Sequence, residues 1–254
     1  MKKFCFCAFR LRALLLPLSL LAVVVVALLF GDHAAKSASA NLSGALPLII
    51  LDAGHGGEDG GAVAADGTTE KDINLSITQK LDALLRALGF QTLLTRSDDS
   101  LHYGNTASTM REKKVADLHY RLQCTEQTPD CILLSIHQNK YTDPQYDGAQ
   151  MFYSPNHPQS EALAHCLQDA FVNDLQPGNT RKIKQSGTEI FLLYKAKVPA
   201  VMVECGFLSN EAEREKLKTD TYQQQVAACI ANGLLQYFMM EPPPEETTIT
   251  ENRT

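Results

Sequence analysis

Apolar and polar positions alternate along this chain with two different periods. Short aliphatic and β-branched runs predict strands at 47–52, 90–95, 131–136, 148–153 and 200–204. The segments between them repeat every three to four residues. "EKDINLSITQKLDALLRALG" puts Ile73, Ile77, Leu81, Leu84, Leu85 and Leu88 on one stripe and stops at Gly89, as an amphipathic helix with a glycine terminator does. "REKKVADLHYRLQ", "SEALAHCLQDAFVNDL" and "YQQQVAACIANGLLQYF" have the same periodicity. Strand followed by helix, without internal repeats, predicts a single α/β domain over 46–240 with helices on both faces of its sheet.

Three apolar runs stop abruptly at chemistry. "LPLIILDAGHGG" runs into Asp52 and His55, "CILLSIHQN" into His137, and "PAVMVECGF" into Glu204. Ligands of open α/β sheets bind beyond the carboxyl ends of the strands, so neighbouring strands would bring these residues together. A lone histidine there is often a hydrogen-bonded core residue, but two at equivalent positions suit a metal. The others fall elsewhere: His33 in a linker, His102 and His157 in loops, His119 and His165 on helices.

Zinc takes imidazole nitrogen and carboxylate oxygen, and a catalytic site keeps three protein ligands and a water. Glu70 follows the glycine-rich stretch "GHGGEDGGAVAADGTTE" and is the candidate third ligand. An acid there also suits the first turn of a helix capped by Thr68 or Thr69, and Glu58, Asp59 and Asp66 compete on the same loop. Glu204 has three readings: a further ligand, a structural carboxylate on a backbone N–H, or a free base beside a metal-bound water. With two histidines and one glutamate already bound, the base is the better chemistry. "GHGGEDGG" lacks the Lys and Ser/Thr of a phosphate loop, and Cys205 alternates away from Glu204 into the core.

The ends differ from the middle. Residues 1–12 carry Lys2, Lys3, Arg10 and Arg12, and residues 13–30 carry no charge. Eighteen such residues span ~27 Å as a helix, close to a bilayer core. Residues 1–30 therefore read as a cytoplasmic stub and an uncleaved membrane anchor, with the rest on the extracytoplasmic face. The rival is a secretory signal cut near "ASA" at 38–40. Residues 31–45 read as a linker and 241–254, "EPPPEETTITENRT", as a disordered acidic tail. Outside the anchor the chain carries 19 basic and 29 acidic residues with no basic stripe, which argues against a nucleic-acid partner. Cys5 and Cys7 precede the anchor and are candidates for acylation; Cys124, Cys131, Cys166, Cys205 and Cys229 have no disulfide spacing and read mostly as small core residues.

With these residues placed, the chain resembles the zinc-dependent N-acetylmuramoyl-L-alanine amidases of bacterial cell walls, the amidase 3 family. The motifs are "ILDAGHGGEDGGAV", "EKDINL", "LLTRSDD", "ADLHYRLQ", "LSIHQN", "DGAQMFY" and "VECGFLSN", in order across nearly all of 46–238. The resemblance implies a mixed sheet of roughly six strands between helices. It implies Zn2+ held by His55, Glu70 and His137, with Glu204 catalytic, and hydrolysis of the amide joining the lactyl group of N-acetylmuramic acid to L-alanine of the peptidoglycan stem. Arg121 and Asn139 match family positions too and read as supporting residues. The "SLHYGNTASTMREKKVADLHYRLQ" and "NTRKIKQSGTEIFLL" segments are similar to the germination-specific amidases of endospore formers, which implies muramic δ-lactam formation in spore cortex. Ala53 stands where the family usually has proline. No long helix is expected between strands to plug the site. A vegetative wall amidase, another zinc hydrolase of the wall and a non-catalytic binding module are the rival readings.

Overall fold

The computed structural model describes residues 46–240, apart from 105, 106 and 129. The stub with Cys5 and Cys7, the apolar segment 13–30, the linker and the tail lie outside the described residues. Among those described, no helix is long and apolar enough to cross a membrane.

Six strands form one sheet: β1 (Leu48–Ala53), β2 (Thr92–Leu94), β3 (Cys131–Asn139), β4 (Gln150–Tyr153), β5 (Lys184–Gln185) and β6 (Ala200–Phe207). Their order is β2-β1-β3-β6-β4-β5, and only the β4–β6 pair is antiparallel. The mixed sheet is the expected one. Six helices cover it: α1 (Glu70–Ala87), α2 (Met110–Glu126), α3 (Gln159–Ala170), α4 (Phe191–Lys195), α5 (Glu211–Leu217) and α6 (Asp220–Met239). A π-helical turn, Phe171–Leu175, prolongs α3.

The strand pattern follows from burial on both faces. In β3, Cys131–Ile136 are all buried, so the run has no polar alternation until His137. One face packs on α1 and α3, and α6 packs against both of these helices. The other holds a cluster of Ile50, Leu122, Leu133, Leu192, Leu193 and Met202 beneath α2 and α4. Three of these side chains, Ile50, Leu133 and Met202 in β1, β3 and β6, would lose roughly 1.5–3 kcal/mol each if exposed, so the sheet's register is strongly fixed.

Helix α1 buries Ile73, Ile77, Leu81 and Leu85 as expected, but Leu88 is 45% exposed. The helix stops first. Gly89 takes φ +92°, its N–H reaches Arg86 O, and the Phe90 N–H reaches Leu85 O. This terminating motif turns Phe90 into the core in place of Leu88. Helix α2 begins with a capping box between Thr109 and Glu112. The strand expected at 90–95 is shorter at both ends and that at 148–153 shorter at its start, whereas β3 and β6 run three residues further than expected. β5, α4 and α5 have no strong period in the sequence and appear only here. The β3–β4 connection contains no helix. The five described cysteines are free thiols, four of them buried.

Candidate metal centre and its acid–base partner

His55, Glu70 and His137 converge. One ligand atom from each lies within 4.8 Å of the others. Each comes from a different element: the loop after β1, the first turn of α1, and β3. Glu204 joins them from β6, where it pairs with His137 in the parallel register. His137 and Glu204 are not at strand ends, because the ladder continues past both with an irregularity before Asn139. His55 lies two residues beyond β1.

The loop after β1 is shaped for close approach. His55 itself has φ +64°, in the left-handed region that a side chain rarely adopts. Its carbonyl accepts from Arg121 Nη2 at 2.8 Å, and its Nδ1 contacts Asp59 Oδ2 at 2.9 Å. A backbone bridge between Gly56 and Asp59, at 3.0 and 2.8 Å, closes the turn that brings Asp59 round. At Gly54 a β-carbon would lie 2.2 Å from His137 Nε2, so only glycine lets the imidazole pass. At Gly61, φ +66°, a β-carbon would lie 2.6 Å from both Glu70 Oε2 and His55 Cδ2.

Glu70 is buried, 4% exposed. Its Oε1 lies 2.8 Å from His137 Nδ1 and accepts from Gln138 N at 3.1 Å and Asn74 Nδ2 at 3.2 Å. Its Oε2 accepts from Ala62 N at 2.8 Å and lies 3.3 Å from His55 Nε2. The helix-capping alternative does not describe this carboxylate: it reaches across to two other elements, while Thr69 is the N-cap residue and makes no side-chain cap bond. The competing acids are engaged elsewhere. Glu58 pairs with Lys113 and Asp66 with Arg214 and Lys218, while Asp59 supports His55.

The electrostatics favour a cation between these groups. Burial works to lower the His55 pKa, but the carboxylates of Asp59 and Glu70 outweigh it and lift it to about 9. Burial works to raise Glu70, and the two imidazoles outweigh that and hold it far below the ordinary carboxylate range. A proton or a metal ion would answer the same field. Two imidazoles and a carboxylate suit zinc chemistry, and Asp59 on the outer nitrogen of His55 is the usual support for a ligating histidine.

Glu204 differs from Glu70. Its Oε2 is buried and has no hydrogen-bond partner among the described residues. The reading of Glu204 as a carboxylate serving a backbone N–H therefore finds no partner here. Burial pushes its carboxyl up to about 7, the Glu70 charge adds to this, and the two histidines oppose it. A carboxyl poised there is suited to taking and returning a proton. Gln150, on β4, pairs with Glu204 from the other side, so His137, Glu204 and Gln150 form one row across three strands. Sequence reasoning passed over Gln150 because β4 carries no apolar stop at that position.

Beneath the row lies a buried ionic network. Arg121 donates to Asp52, to Asp117 Oδ2 at 2.6 Å and to Ala53 O at 2.7 Å as well as to His55 O. Asp52 also accepts from Thr95 Oγ1 at 2.7 Å and Ser135 Oγ at 2.5 Å. Asn139 contributes its backbone, which accepts from Leu208 N at 2.8 Å.

A family model described as N-acetylmuramoyl-L-alanine amidase matches residues 49–236. The germination-specific N-acetylmuramoyl-L-alanine amidase of Bacillus subtilis is 33% identical over 199 residues, 78% of this chain and 83% of that protein. The amidase AmiA of Salmonella typhimurium is 28% identical over 238 residues, 77% of this chain and 78% of that protein. Among solved structures, the CwlD amidase of Clostridioides difficile, in complex with the GerS lipoprotein, is 40% identical. It superposes with a TM-score of 0.72 over 75% of this chain and 98% of that one. The chain belongs to the N-acetylmuramoyl-L-alanine amidase family and is a peptidoglycan amidase.

Proposed function

We propose that this amidase is a zinc hydrolase in which His55, Glu70 and His137 hold the metal and Glu204 is the acid–base catalyst. The convergence of three ligand atoms within 4.8 Å beside a partnerless buried carboxyl oxygen carries this reading. Zinc bound there would polarise the lactyl carbonyl and acidify a water. Glu204 takes a proton from the attacking water as the water oxygen bonds the carbonyl carbon. It then gives the proton to the alanine nitrogen as the C–N bond breaks, leaving a lactyl carboxylate and a free L-alanyl amine. Asp59 holds the outer nitrogen of His55, and Arg121 fixes the His55 backbone.

The relatives support a biological setting. The germination-specific name of the Bacillus subtilis relative supports a role in spore cortex, with muramic δ-lactam formation downstream of cleavage. A general wall-remodelling role is the alternative. The Clostridioides difficile complex supports a lipoprotein partner for this chain as well. Peptidoglycan lies outside the membrane, which agrees with residues 13–30 as an anchor, 46–240 as the catalytic domain and 241–254 as a tail.

The test is incubation of the full, zinc-loaded chain with purified peptidoglycan and mass spectrometry of the products. Stem peptides that begin with a free L-alanine are expected. Glu204→Gln should bind one zinc per chain and release at least ~100-fold less stem. Release at the native rate by Glu204→Gln would remove the role given to that residue.

A further inference from the structure

The row His137–Glu204–Gln150 continues one strand further. β5 is parallel to β4, with Phe152 opposite Lys184; the same spacing carried two residues back, ahead of β5, brings Lys182 level with Gln150. The Gln150 side chain confirms the proximity: its Nε2 donates to Lys182 O at 2.7 Å. The Lys184 ammonium stands 5.9 Å from the centre of the Phe152 ring. Both lysines are exposed, and neither makes an ion pair with a carboxylate among the described residues.

The opposite flank of the site is different. There Lys71 pairs with Asp99, Lys113 with Glu58 and Lys114 with Asp59. Arg181 is also committed: its guanidinium lies 4.3 Å over the Phe207 ring, and its Nε donates to Asp147 O at 2.6 Å. In an acidic chain, the β5 flank therefore offers two ammonium groups without a carboxylate partner among the described residues: Lys182, in line with Glu204, and Lys184, two residues further along beside Phe152.

We propose that Lys182 and Lys184 are specificity residues that bind the free α-carboxylate of the stem's second residue, a γ-linked D-glutamate. This rests on the amidase reading given above. Distance supports it. β5 lies two strands from Glu204, roughly 10 Å away at ~4.8 Å per strand. The alanyl and glutamyl residues that leave the cut bond extend roughly 7 Å, and a lysine side chain covers the remainder. Charge supports it too. A free stem carboxylate is anionic, whereas the sugar on the other side of the cut bond gives an ammonium no such partner. A stem whose D-glutamate is amidated would lose the attraction.

The experiment uses the full zinc-loaded chain carrying Glu204→Gln, with and without Lys182→Gln and Lys184→Gln. Binding of two muropeptides is measured by calorimetry, one with a free and one with an amidated glutamyl carboxylate. With the lysines intact, the acidic stem should bind about fivefold more tightly, the scale of two partly exposed ion pairs. This preference should shrink as salt is raised. The double lysine substitution should abolish the preference, and Lys→Arg at both positions should retain it. An equal preference before and after the lysine substitutions, with an unchanged thermal midpoint, would overturn the proposal. So would the lack of any preference in the starting protein. Because the readout is binding, an error about Glu204 shows separately, as cut stem in the cell at the end of the titration.

Discussion

Arg121→Met removes the cation at the centre of the buried network and nothing else of similar size. Arg121 is 2% exposed, and its partners Asp52 and Asp117 are 1% and 4% exposed. Methionine fills much of the volume but removes the cation that both carboxylates hydrogen-bond, leaving them in a low-dielectric interior. Breaking a buried pair in this way costs about 3–5 kcal/mol. A domain holds only about 5–15 kcal/mol in total, so the variant should fold but be fragile. With a urea slope of about 2 kcal/mol/M, the unfolding midpoint should fall by roughly 2 M at pH 7. Adding Asp52→Asn should return part of the loss, because the amide is neutral, its oxygen can accept from one of the Thr95 and Ser135 hydroxyls, and its NH2 can donate to the other once that hydroxyl turns.

The same residues set an acid dependence. Burial works to raise Asp52, but Arg121, Ser135, His137 and Thr95 outweigh it and bring the carboxyl down to about 2 from 3.8. A depressed folded-state pKa contributes stability above the unfolded value, and that contribution is lost as pH falls from about 4 to about 2. The shift corresponds to about 2 kcal/mol. The unsubstituted chain should lose that increment across the window, and Arg121→Met should lose much less of it. Urea unfolding followed by circular dichroism at several pH values reads both effects. A midpoint change under about 0.5 M at pH 7, or an identical acid slope in the two proteins, would refute the network argument.

Other outcomes follow from the site. Zinc at 100 times its dissociation constant should stabilise the chain by about 2.7 kcal/mol, seen as a raised thermal midpoint, and His55→Ala or His137→Ala should abolish that gain. Asp59→Asn should keep the fold but weaken zinc about 10–100-fold in a chelator competition, because the outer nitrogen of His55 loses its anionic partner. Gly54→Ala should displace the His137 ring and lose zinc even where the domain still folds, since the added methyl would meet Nε2 at 2.2 Å. Zinc uptake equal to that of the unsubstituted chain would mean that the loop can move aside.

The sequence alone determined the alternation of strands and helices, because burial on both sheet faces demands continuous apolar runs and one-sided helices demand a period near 3.6. It also marked His55, His137 and Glu204, since a polar residue that stops such a run is conspicuous. The resemblance added the mixed six-stranded sheet. Tertiary structure decided what depends on distance across the chain. Glu70 was the leading candidate over Glu58, Asp59 and Asp66, and the resemblance favoured it, but only the fold brings it to two histidines and gives the competing acids other partners. Gln150 and Lys182 leave no local signal, because their significance is their position beside Glu204, and Lys184 lies in two-residue β5, too short to have a period. Leu88 looked like core until the glycine terminator turned Phe90 inward. Local pattern records which residues must be hidden from water; which of them meet is set by strand order and register, and those are settled only when the whole sheet closes.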